Sequence, residues 1–193
     1  TKYRFNHLSI QDLMIEISVF NSFYPTILQI IDNYLQTMTV DFVRQHFIEL
    51  LNYSTEGGKK IRGILVASAY CELNKIDPKS KEAYPGFILG WALEILQAAY
   101  LVADDLMDQS KRRRGKPCWY LKPNVGNSAV NDALIVENMA FVLIDSLKMS
   151  VNNSESMTSL PDEVIDKIAS FMRQMNLKTT IGQSLDYKCK TYM

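Results

Sequence analysis

"GFILGWALEILQAAYLVADDLMD", residues 86–108, decides the fold. From 86 to 103 its only charge is Glu94, and then Asp104, Asp105 and Asp108 arrive together. An apolar run of this length approaches a membrane span. Glu94, Gln97 and the aspartates would be costly in lipid, which favours the buried core helix of a soluble helical protein. The basic run "KRRR", residues 111–114, follows at once. A charge cluster this dense at the end of an apolar helix poses the question of what it holds.

Outward from this stretch, apolar spacing is helical almost throughout and no alternating strand pattern is found. Ser9 with Asp12 reads as a capping box opening a first helix that runs to about residue 37, bent at Pro25. "VDFVRQHFIELLNY" after Thr39 predicts a second helix, broken by "EGG" at 56–58, and "KKIRGILVASAYCEL" a third. The polar turn "NKIDPKSK" precedes the apolar helix, with Pro85 in its first turn. "RGKPCWYLKPNVG" must be a loop, residues 127–149 a fifth helix, and "SVNNSESMTS" a polar linker before a sixth helix near Pro161. The expected fold class is all-α, a helical bundle in one domain over residues 1–193.

The chain's 193 residues, 47% hydrophobic, are enough for a sizeable core. Lys+Arg and Asp+Glu both total 21, so the net charge of +0 argues against nucleic acid as a partner. Cys71, Cys118 and Cys189 are odd in number without a C-x-x-C pair, which predicts free thiols in a reducing compartment. The start "TKYRFNHLSIQDLMIEI" has no continuous apolar run, so no signal peptide is expected, and the missing Met points to a trimmed start. A cytoplasmic location is the expectation. Trp91, Trp119, Tyr120 and the methionines of "FMRQMNLK" read as packing residues, and Lys111 with Arg112 as a solvated edge.

Asp104 and Asp108 lie one helical turn apart on one face, with Asp105 beside them. Repulsion between such carboxylates needs an offset. Mg²⁺ supplies one, because it takes hard oxygen ligands and keeps exchangeable waters. Neutralisation by the neighbouring arginines is the alternative. Gln97 shares the aspartate face two turns earlier. Arg forks of the basic run suit phosphate. Lys59 and Arg62 are expected on the first turn of a helix after two glycines, where backbone N–H groups favour anions. Two basic sites and one Mg²⁺ site suggest two diphosphate ligands.

"GGKKIRG", "LGWALEILQAAYLVADDLMD", "RRGKPCWY" and "TTIGQSLD" together closely resemble motifs of trans-type isoprenyl diphosphate synthases, the farnesyl and geranylgeranyl diphosphate synthases of eukaryotes. The resemblance runs from about residue 20 to 190. It implies Mg²⁺ carried by Asp104 and Asp108, bridging to an allylic diphosphate that Arg113 also holds. It implies isopentenyl diphosphate bound by Lys59, Arg62 and Arg114, with Gln97 nearby. Gln183 and Asp186 match "GQxxD", whose aspartate approaches the metal cluster. The implied reaction is condensation of isopentenyl diphosphate with dimethylallyl, geranyl or farnesyl diphosphate, in a homodimer. Where farnesyl-forming relatives carry two aromatic residues before the aspartates, this chain has Ala99 and Tyr100. Ala99 predicts a deeper pocket, with geranylgeranyl diphosphate formed alone or beside farnesyl diphosphate.

The resemblance is incomplete. The family's second aspartate-rich motif lies further downstream, and no second "DDxxD" occurs before Met193. The intact motifs favour a truncated synthase, whose isolated piece need not be active, over a non-catalytic subunit that binds prenyl diphosphate or partners a synthase. A terpene synthase is a third possibility that "GGKKIR" speaks against.

Overall fold

The computed structural model describes residues 14–148 and 159–192. Its helices are α1 (Ile17–Ser22), α2 (Tyr24–Met38), α3 (Asp41–Thr55), α4 (Ile61–Asn74), α5 (Tyr84–Met107), α6 (Ala129–Asp145) and α7 (Asp162–Tyr192). The all-α class read from the sequence is the observed one. The central helix is α5, buried along most of its length between α4 and α6, with α2 and α3 packed around them. By length and composition it could cross a membrane, yet 67% of its apolar stretch is buried inside the fold, as a core helix is.

Each flanking helix turns one apolar stripe inward. In α2 the stripe is Ile27, Ile31 and Leu35; in α3 it is Phe47, Leu50 and Leu51. In α6, Val136, Met139, Ala140, Leu143 and Ile144 are buried, while Val130 and Leu134 stay exposed one turn apart. Helices α4 and α5 cross at two glycines. A β-carbon on Gly90 would lie 2.5 Å from the carbonyl oxygen of Gly63, so only hydrogen fits there. Phe20 stacks on Trp91 at 4.9 Å, and the Trp91 indole donates to the Phe20 carbonyl at 3.1 Å. Trp91, Trp119 and Tyr120 are buried, as expected of packing residues. Of the methionines in "FMRQMNLK", Met172 packs on the core and Met175 is half-buried.

Several local expectations need correction. The chain does not bend at Pro25 but breaks at Phe23, and α2 restarts with Pro25 in its first turn. Proline has no N–H to offer the preceding turn, and the first turn is where that loss is harmless. The third predicted helix begins at Ile61, so Lys59 and Lys60 precede it. The loop after α5 contains a small antiparallel hairpin, β1 (Arg112–Arg113) paired with β2 (Lys116–Pro117). Its two-residue turn, Arg114–Gly115, has φ of 51° and 81°, the primed geometry that matches strand twist. The fifth helix is shorter than predicted, a 3₁₀ turn at Gly126–Ser128 leading into α6. The Ser9/Asp12 capping box and most of the polar linker lie outside the described residues.

Candidate active site

The C-terminal end of α5 carries the aspartates, and packing sends them in different directions. The Asp105 side chain is 5% exposed and is gripped by Arg113, whose Nη2 donates at 2.6 Å and Nε at 3.0 Å. Asp104 is 30% exposed and receives Arg113 only at 3.3 Å. Its other carboxylate oxygen accepts from Gln183 Nε2 of α7 at 2.7 Å. Asp108 caps α5, is exposed, and its N–H donates to the Asp104 carbonyl at 2.8 Å. Asp186 is exposed on α7 one turn beyond Gln183. The structure therefore joins Asp104, Arg113 and Gln183, while Asp108 and Asp186 are exposed. Beside the pair, burial first and Asp105 next push the Cys118 thiol up to about 11, so it stays protonated.

Between α5 and α7 lies a cavity of about 380 Å³. Asp104 and Gln183 line it together with Gln97, Tyr100, Leu101 and Met107. The Tyr100 hydroxyl donates to Asn176 at 2.6 Å, tying the two walls. Ala99 is buried and does not line this cavity. One residue is about 100° of helix rotation, which turns Ala99 away from the face that Tyr100 occupies.

The second basic group forms elsewhere. Lys59 and Arg62 are exposed and have no side-chain hydrogen bond or ion pair among the described residues. Arg114 reaches the C-terminal end of α3, where Nη1 donates to the Glu56 carbonyl at 2.9 Å and more weakly to those of Ser54, Thr55 and Gly57. Its guanidinium lies against Gly58, where a β-carbon would come within 2.9 Å of Cζ. Gly57 and Gly58 have φ of 71° and 74°, so glycine serves both the turn and the contact. Arg114 is thus brought beside Lys59 through Gly58. The expected anion site at the α4 N-terminus is partly filled by the protein itself. Buried Glu94 accepts from the Gly63 N–H at 2.9 Å, which explains the one charge in the apolar helix.

Sequence reading missed three residues that secure the arginine hairpin and the turn that follows it. Buried Asp132 of α6 accepts from Trp119 Nε1 at 2.8 Å and pairs with His46 Nε2 at 2.9 Å. Tyr53 donates to the Pro117 carbonyl at 2.7 Å. An aspartate on an apolar helix was the only available signal.

Among the described residues no group of three or more His, Cys, Asp or Glu side chains is arranged to hold a metal. Asp104 and Gln183 nevertheless offer hard oxygens on the wall of a cavity. A cation there would take one or two protein oxygens and complete its shell with water or phosphate, the habit of Mg²⁺ rather than of Zn²⁺.

Residues 44–192 match the family model described as polyprenyl synthetase. The chain is 39% identical over 169 residues to the farnesyl pyrophosphate synthase of Schizosaccharomyces pombe, covering 86% of this chain and 45% of that protein. It is 40% identical over 139 residues to that of Saccharomyces cerevisiae, covering 70% and 36%. Among solved structures it is similar to the crystal structure of T. brucei farnesyl diphosphate synthase, with a TM-score of 0.72 and 26% identity, over 89% of this chain and 47% of that one. The chain spans less than half the length of these relatives. With the aspartate-capped α5, the paired basic sites and the family match in agreement, this chain belongs to the polyprenyl synthetase family.

Proposed function

We propose that the protein is a prenyltransferase that condenses isopentenyl diphosphate with an allylic diphosphate, with Mg²⁺ at Asp104, Asp108 and Asp186. The observation that carries this reading is the Gln183–Asp104 bridge, which sets a carboxylate on the wall of a mostly apolar cavity between α5 and α7. A prenyl chain fits the apolar wall and its diphosphate the charged rim. Arg113 stands beside Asp104, already oriented by Asp105, and can donate to phosphate with little reorganisation. Lys59, Arg62 and Arg114 would take the second diphosphate without a metal.

In the proposed reaction the allylic C–O bond breaks and diphosphate leaves. The isopentenyl double bond attacks the allylic carbon, and loss of one proton from the adduct restores a double bond. Bound Mg²⁺ would supply charge neutralisation for the leaving group. Arg113 would share that work, and the cavity would keep water from the cation. The names of the relatives support a farnesyl product, and Ala99, buried and outside the lining of this cavity, adds no support for a geranylgeranyl one. We further propose a homodimer, supported by exposed Val130 and Leu134 on α6, and a cytoplasmic location, supported by three unpaired cysteines.

The test has two arms. Geranyl diphosphate should bind this chain in Mg²⁺ and not in EDTA, and Asp104→Ala should abolish that difference. Equal binding in both media would overturn the metal-linked site. Radiolabelled isopentenyl diphosphate supplied with geranyl diphosphate then separates an enzyme from a non-catalytic binder.

A further inference from the structure

Lys60 takes no part in the Asp104–Arg113 site, and among the described residues it is the one buried lysine. It sits between Lys59 and α4 in the left-handed region, φ 49°, which is uncommon for a long side chain. That turn sends its ammonium back onto the end of α3, where it donates to the carbonyls of Thr55 and Gly57. Arg114 reaches the same two carbonyls from the hairpin, at 3.4 Å each, besides Glu56 at 2.9 Å. Two cations therefore crowd one helix end whose partial charge is only about −0.5. Lys60 is 6% exposed, whereas Arg114 is exposed.

We propose that Lys60 and Arg114 are exchangeable clasps on the C-terminal end of α3: an anion at Lys59 and Arg62 draws Arg114 off the carbonyls, and Lys60 alone then keeps the Gly57–Gly58 loop folded. This rests on the reading that Lys59, Arg62 and Arg114 receive a diphosphate. Lys60 is on this account a positioning residue.

Charge gives the exchange a signature. Burial first, and repulsion from Arg114 second, lower Lys60 to about 8, with Glu94 opposing. Moving Arg114 onto an anion removes the repulsion, so Lys60 binds a proton more tightly. The other groups facing it are steady. Tyr24, on the same cavity wall, is pushed up to about 12 by burial and stays neutral, and Glu56 is paired with Lys116. Glu94 remains on the Gly63 N–H.

The test is trace acetylation of the chain from neutral to alkaline pH, with each lysine read by mass spectrometry. The probe is inorganic diphosphate without metal. In the free chain Lys60 should label with a midpoint near 8, moving toward the ordinary 10.5 when diphosphate is added. Arg114→Ala should raise the midpoint without ligand, and diphosphate should then add little. Arg114→Gln, which keeps donors on the carbonyls but not the charge, should do the same and guards against a misfolded alanine variant. A midpoint unmoved in both variants overturns the exchange. So does an equal diphosphate shift in wild type and variants, because the anion would then act alone. Exposed Lys59 reports on the underlying site. If diphosphate fails to protect Lys59, the diphosphate reading falls and the exchange with it; if Lys59 is protected while Lys60 does not move, the exchange alone falls.

Discussion

Replacing Asp105 with asparagine should cost the fold far more than the same change at Asp104. The Asp105 carboxylate is 5% exposed and receives Arg113 through Nη2 at 2.6 Å and Nε at 3.0 Å. A hydrogen bond to a charged group contributes about 1.5–3 kcal/mol. Arg113 is itself 37% exposed, so water screens part of the loss. About 2 kcal/mol is therefore expected for Asp105→Asn. Asp104 is 30% exposed and can exchange its Gln183 partner for water, so its loss should be about 0–1 kcal/mol. In a chain of this size each kcal/mol moves Tm by ~2–4 °C, giving a drop of ~4–8 °C for Asp105→Asn and at most ~4 °C for Asp104→Asn. Thermal melts followed by circular dichroism measure both. Binding should reverse the order, with Asp104→Asn losing Mg²⁺-dependent geranyl diphosphate affinity and Asp105→Asn keeping more of it. Equal melting losses, or a larger one at Asp104, would refute the view that Arg113 and Asp105 lock the end of α5.

Four further outcomes are expected. Arg62→Ala should raise the apparent KM for isopentenyl diphosphate much more than that for the allylic substrate, in steady-state assays of an active form. Tyr100→Ala should lengthen the product by opening the cavity wall, whereas Ala99→Phe should leave product length alone and destabilise the core by about 1–3 kcal/mol. Lys60 has a lowered folded pKa near 8 against an ordinary 10.5, so its buried charge costs stability at lower pH and the cost fades between these values. The Tm of wild type relative to Lys60→Met should accordingly rise over that window, and a flat difference would speak against the burial. Leu134→Lys should shift the light-scattering mass toward monomer if exposed α6 forms the contact between copies.

Helices were legible because their cause is local. Ile27, Ile31 and Leu35 mark α2, and the run from 86 to 103 marks α5, through spacing alone. The hairpin was not legible, since Arg-Gly is a weak turn signal beside Asn-Gly and the strands are two residues each. The start of α4 was misplaced because Lys60 adopts a left-handed backbone that nothing in its residue type announces.

The sequence by itself determined the all-α class and the central helix, and it singled out the candidate residues: the aspartates, the arginines, Lys59, Gln97 and Gln183. Residue types and helical spacing carry that information. Only the tertiary structure decided how they divide. Asp105 turns inward to Arg113 and Asp104 outward to Gln183, 79 positions away in the chain. Ala99 goes to the core and Tyr100 to the cavity; Glu94 caps α4; Arg114 and buried Lys60 meet on one helix end. Each of these outcomes depends on which face of a helix meets a distant neighbour, and burial then sets which charges are paired within the fold and which are left to bind.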